Sequence, residues 1–223
     1  NEKPEPVAHL HAEQTDLPGV IILEPDVYSD PRGLFYESFH AEKYQAFGIP
    51  GPFVQDNFSR STGGTVRGLH LQIKRPQGKL IRVLRGTIRD VSVDVRPGSP
   101  MFGRWVSIDL SADSYQQVYV PAGFAHGFSV LSDDAEVEYK CTTHYNASDE
   151  IGIAWNDPEL NIDWGVESPH LSERDEANGT LSSVVDRLPQ SLYTVNPVNA
   201  IRGSEAEHAA GLTPVTDRNR LDF

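Results

Sequence analysis

Between residues 53 and 164 the chain is a succession of short runs of Val, Ile and aromatic residues, most of them parted by Gly, Pro or Ser-Asp clusters. Runs of that composition predict β-strands, here over 65–71, 79–85, 87–95, 103–109, 116–120, 123–130 and 136–143. Two earlier strands are expected at 19–23 and 34–39, with the turn Asp30-Pro31-Arg32-Gly33 between them. Residues 40–47 predict a short helix, broken by Gly48-Ile49-Pro50-Gly51-Pro52. Past Trp164 the β pattern stops. Residues 167–186 are polar and loop-like with one helical turn after Ser172, and 188–223 shows little periodicity. This reads as an all-β fold, a double-sheet jelly-roll barrel with a few short helices and a C-terminal tail. The expected division is an N-terminal arm (1–17), the jelly-roll domain (18–165), a C-terminal segment (166–187) and a tail (188–223) lying on the barrel or on a partner subunit.

Composition narrows the classes. With 223 residues the chain is long enough for one substantial core. A net charge of -13 argues against nucleic acid or an anionic membrane as partner. It leaves room for a small anion held by a few focused arginines. The single cysteine, Cys141, excludes an intrachain disulfide and a cysteine metal cage. No apolar run approaches the ~20 residues of a membrane span, and the first residues lack a signal-peptide core. A cytoplasmic protein is expected.

The densest chemistry lies in Val66-Arg67-Gly68-Leu69-His70-Leu71-Gln72, followed by Gln77-Gly78-Lys79. Strict alternation predicts Gly68, His70 and Gln72 on one strand face and Arg67, Leu69 and Leu71 on the other. A histidine sharing a cavity with a lysine suits removal of a proton from carbon and stabilisation of the resulting enolate. For His70 alone the plainer reading is a satisfied core histidine. Further along, Pro121-Ala122-Gly123-Phe124-Ala125-His126 resembles the second motif of cupin barrels, where a turn presents a metal-binding histidine. The first cupin motif is altered: Gln72 stands two residues beyond His70, and Lys79 occupies the place of a glutamate. An ammonium there repels a divalent cation. The expectation is a barrel without metal or other cofactor, with a two-histidine metal site as the alternative.

Several blocks in order carry a resemblance over residues 18–175. They include Asp30-Pro31-Arg32-Gly33-Leu34-Phe35, Val54-Gln55-Asp56-Asn57-Phe58-Ser59, Arg67-Gly68-Leu69-His70, Gln77-Gly78-Lys79-Leu80, Glu138-Tyr139-Lys140 and Leu171-Ser172-Glu173-Arg174-Asp175. Together they resemble the dTDP-4-dehydrorhamnose 3,5-epimerases, metal-free cupin enzymes that act on a dTDP-4-keto-6-deoxyhexose. The resemblance implies His70 as base, oriented by Asp175, Lys79 as stabiliser of the C4 enolate, and Tyr139 as the acid that returns a proton. It implies substrate contacts from Arg32, Glu37, Gln55, Asn57, Arg67, Glu150 and Arg174, with His126 lining the cavity and Tyr145 near it. It also implies a homodimer in which Arg32 and Glu37 serve the partner's site, and a segment 166–187 that completes the active site. Two departures stand out: Arg174 replaces a frequent lysine, and the tail past residue 188 is long. Without the resemblance, Asp175 reads as a surface carboxylate, Lys79 as a solvated strand end and Tyr139 as a barrel tyrosine. Three other functions compete: a single-centre epimerase, a non-catalytic nucleotide-sugar binder and a metal-dependent cupin oxygenase. Four catalytic groups exceed a binder's needs, and Gln72 with Lys79 disfavours the oxygenase.

Overall fold

The computed structural model describes residues 9–193. In chain order the strands are β1 (Leu10–Gln14), β2 (Ile21–Pro25), β3 (Val27–Asp30) and β4 (Gly33–Tyr36). Helix α1 (Ala41–Ala46) follows, then β5 (Gln55–Thr62), β6 (Val66–Gln72), β7 (Lys79–Arg85) and β8 (Thr87–Asp94). Next come β9 (Trp105–Ser111), β10 (Gln117–Val120), β11 (Phe124–Val130), β12 (Asp134–Cys141) and β13 (Glu150–Gly152). Two one-turn helices, α2 (Glu173–Glu176) and α3 (Leu181–Val184), lie in the C-terminal segment.

The strands form a six-stranded sheet in the order β1-β2-β10-β7-β12-β5 and a five-stranded sheet in the order β13-β6-β11-β8-β9. This is the expected cupin-type double-sheet jelly roll, two facing sheets rather than a closed ring. Alternation distributes the side chains. Ile81, Val118, Ile88, Leu110, Phe124 and Phe128 meet in one core cluster contributed by both sheets. Leu69, Leu71, Val91, Val93 and Ala125 point the other way, where Trp164, Leu181, Leu188 and Leu192 cover them. The segment after the last strand is therefore a hydrophobic cover on the back of the five-stranded sheet. The back of the other sheet is covered at Ile21, Leu23, Leu80 and Tyr119 by Tyr44 of α1 and Ile49.

Four strands were not anticipated: β1, inside the stretch read as an arm, β3, β5 and the three-residue β13. Leu10–Gln14 pairs antiparallel with Ile21–Pro25 and extends the six-stranded sheet at its edge. Its sequence, Leu-His-Ala-Glu-Gln, has a weak β-composition, and backbone pairing rather than propensity makes it a strand. β5 (Gln-Asp-Asn-Phe-Ser-Arg-Ser-Thr) alternates between less and more exposed positions at the other edge and is almost wholly polar. The tail beyond Tyr193 lies outside the described residues.

Candidate active site

A cavity of about 320 Å³ opens between the two sheets. The five-stranded sheet contributes Arg67, His70 and His126 to its lining, and the six-stranded sheet contributes Ser59, Lys79 and Tyr139. Tyr145, Glu150, Arg174 and Asp175 complete it. Most of the residues singled out in the sequence thus converge on one space.

Arg67 and His70 line the same cavity, which corrects the expected alternation of β6. In the pairing with β11, His126 opposes His70 but Phe128 opposes Arg67. Three steps along β6 match two along β11, so β6 carries a bulge, and a bulge re-aims the residues beyond it. Gly68 makes this possible. Its φ is +113°, and a Cβ there would lie 2.6 Å from Gly127 Cα. Gln72 does not join the cavity. Its amide donates to the carbonyls of Arg75 and His144 and accepts from the Asn146 backbone, tying two loops together.

His70 Nε2 is 2.6 Å from Asp175 Oδ1. With that nitrogen donating to the carboxylate, Nδ1 is left to accept a proton. Asp175 sits on α2, whose start is capped when the Asp175 amide donates to Ser172 Oγ at 3.1 Å. Burial pushes the Asp175 carboxyl up, but the His70 hydrogen bond and charge, Ser172 and Arg174 together hold it below the ordinary 3.8. A carboxylate that stays ionised fixes the tautomer of its imidazole and raises its basicity.

Lys79 and Tyr139 approach from the other sheet. Desolvation lowers the Lys79 pKa, only partly offset by Cys141 and Asp90. Desolvation raises that of Tyr139, so the phenol keeps its proton through neutral pH. His126 Nε2 is 2.7 Å from Asp90 Oδ2, and the pair is 8% and 1% exposed. Asp90 was missed in the sequence. The available signal was a polar set, Asp90, Ser92 and Asp94, at alternate positions of a strand whose other residues include Ile88, Val91 and Val93.

The remaining expected residues divide in two. Glu150 forms an ion pair with Arg174, whose Nη1 also lies 3.4 Å from the Tyr145 hydroxyl. Asn57 stands opposite Tyr139 in the β5–β12 ladder, so the two share a face. Gln55 Oε1 accepts from the Tyr145 amide at 2.8 Å and Gln55 Nε2 donates to Asn57. These two reach the cavity lining only through Tyr145 and Tyr139. Arg32 and Glu37 do not reach it: Arg32 pairs with Asp30 on the β3–β4 hairpin and Glu37 with Lys43.

Fold and site together define a cupin-type jelly roll with a proton-transfer cavity between its sheets. The sequence profile of the dTDP-4-dehydrorhamnose 3,5-epimerases matches residues 14–183, and the chain belongs to that family. Among its relatives, the dTDP-4-dehydrorhamnose 3,5-epimerase of Pseudomonas aeruginosa is 51% identical over 168 residues, covering 74% of this chain and 93% of that protein. The Shigella flexneri protein of the same name is 49% identical over 73% of this chain and 91% of its own length. The crystal structure of the Legionella pneumophila epimerase RmlC in complex with dTDP-4-keto-L-rhamnose superposes with a TM-score of 0.79 at 47% identity, covering 82% of this chain and 98% of that one. ChmJ, a 3'-monoepimerase from Streptomyces bikiniensis in complex with dTDP-quinovose, gives 0.76 at 36% identity, covering 82% and 95%.

Proposed function

We propose that this protein inverts C3 and C5 of dTDP-4-keto-6-deoxy-D-glucose, giving dTDP-4-keto-L-rhamnose. The observation that carries the reading is a carboxylate-bound imidazole on one sheet sharing a cavity with an ammonium and a phenol from the other. A C4 ketone acidifies the hydrogens on its neighbouring carbons. His70 Nδ1 removes one as Asp175 stabilises the imidazolium, and the Lys79 ammonium donates to the enolate oxygen. Tyr139 gives its proton to the opposite face, His70 and Tyr139 regain their starting protonation states by exchange with solvent, and repetition at the second carbon completes the double inversion. Arg67 and Arg174 supply planar donors for the diphosphate, with Tyr145, Gln55 and Asn57 toward the nucleotide.

The likeness to a 3'-monoepimerase supports a second reading, inversion at one centre only. The higher identity to the 3,5-epimerases favours the first. The test is the stereochemistry of the product formed from the purified 4-keto sugar nucleotide. L-configured product supports double inversion, a single inverted centre supports the second reading, and unchanged substrate refutes both.

Three further assignments accompany this one. The working form is a homodimer, with the hairpin bearing Arg32 and the exposed Leu34 and Phe35 reaching the partner's cavity. Residues 166–187 form the segment that completes the site, since α2 within it carries Arg174 and Asp175. The compartment is the cytoplasm, where a buried free thiol such as Cys141 is at home.

A further inference from the structure

We propose that Asn178 is a positioning residue that clamps the Asp175 carboxylate against His70 and so sets how tightly His70 holds a proton. The inference rests on the reading of His70 as the base. Asp175 Oδ1 receives two donors, His70 Nε2 at 2.6 Å and the Asn178 side-chain amide at 3.5 Å. That amide has little room to turn away. It lies flat on Gly152, where an added Cβ would stand 2.0 Å from Asn178 Oδ1. Gly152 is in turn the residue of β13 that pairs with His70 in β6. The backbone fixes the other side, with Asn178 N donating to Asp175 O and Ala154 N donating to Gly179 O at 2.7 Å. The missing side chain at Gly152 is thus the seat in which Asn178 holds the carboxylate beside the imidazole.

The amide and the imidazole share the charge on Oδ1, and the amide also holds the carboxylate in place. The other charged or titratable groups around His70 are Arg67 on its own strand, Lys79 on β7, His126 on β11, Tyr139 on β12, Glu150 on β13, Arg174 on α2 and the nearby Tyr145. Asn178→Ala removes the competing donor and frees the carboxylate to rotate. Asn178→Asp places a second carboxylate beside the first in nearly the same shape, and a further negative charge within reach favours imidazolium.

The test is a proton NMR titration of His70 in the ligand-free protein, with kcat and KM on the 4-keto sugar nucleotide measured alongside. Asn178→Asp is expected to move the His70 midpoint up by about one pH unit. Asn178→Ala and Gly152→Ala, which displaces the amide by a methyl group, should shift it by less, because loss of the competing donor and loosening of the carboxylate act in opposite directions. All three should lower kcat about ten- to a hundredfold through misplacement of the base, with KM nearly unchanged. Unaltered midpoint and kcat in folded Asn178→Asp and Asn178→Ala protein would overturn the clamp. Because the titration needs no substrate, shifted midpoints in a protein that fails to turn over would support the clamp and refute the epimerase reading.

Discussion

His70 gives one ring nitrogen to a carboxylate held below the ordinary carboxyl range by its neighbours, and its side chain is 26% exposed, which sets it apart from the similarly paired His126 at 8%. His70→Ala should lower kcat/KM about a thousandfold, the usual worth of a positioned base, in a steady-state assay on the 4-keto sugar nucleotide. Tyr139→Phe should slow reprotonation more than proton removal, so recovered substrate should carry solvent deuterium while little product forms. Equal loss of both would show that the phenol only positions the sugar. For Lys79 the pH dependence has a definite direction. Burial lowers its pKa from the ordinary 10.5, so the ammonium that faces the enolate is lost earlier as pH rises. The basic limb of the kcat profile should therefore fall below that of a free lysine, and Lys79→Ala should abolish activity across the range. His70 and Lys79 were legible as a pair because their chemistry is rare in combination, and only the family pattern raised Tyr139 above a barrel tyrosine and Asp175 above an ordinary surface carboxylate. Asp90 was not legible. The one local signal, polar residues at alternate positions, gains meaning only once β8 is seen to have both faces covered, so that a polar residue there must find a buried partner.

At the scale of elements, the site depends on an irregularity in β6. The extra residue turns Arg67 and His70 to the same side, and Gly68 supplies the left-handed backbone and close approach to β11 that the bulge needs. Gly68→Ala should destabilise the fold by about 2 kcal/mol or more in denaturant unfolding, because the methyl meets backbone rather than a yielding side chain. The same variant should lose activity, as Arg67 and His70 no longer share a face. An unchanged midpoint of unfolding would contradict this account of the bulge. Strand positions from β6 to β12 were readable from their Val, Ile and aromatic runs within a residue or two at most ends. Residue 68 broke the alternation because a bulge is decided by what the neighbouring strand allows. β5 was hidden for a different reason. Its less exposed residues are the polar Gln55, Asn57 and Ser59, so the hydrophobic pattern that marks a strand is absent.

For the whole molecule, two facing sheets leave a cavity between them, and the chain after β13 seals the back of one sheet on either side of α2, which delivers Arg174 and Asp175 to the opening. Truncation after residue 165 should remove catalysis and expose the apolar back of the five-stranded sheet, seen as dye binding and a lower melting temperature. Arg32 stands apart from the cavity of its own chain, with a side chain 91% exposed. If it serves a partner, mixing inactive Arg32→Ala with inactive His70→Ala protein should restore part of the activity in heterodimers. No recovery after exchange of subunits would place Arg32 outside the site. The sheet architecture followed from pattern alone, whereas the partner role of Arg32 came only from the family resemblance, since sequence spacing does not say which cavity a hairpin can reach.

The central claim is that protons at C3 and C5 exchange through this cavity under the action of His70. The most direct measurement is proton NMR of dTDP-4-keto-6-deoxy-D-glucose incubated with the protein in deuterated water, beside the His70→Ala variant. Loss of both the C3 and C5 signals with the native protein, and retention of both with the variant, is the predicted result. Retention of both signals with the native protein, or their equal loss with the variant, would contradict it.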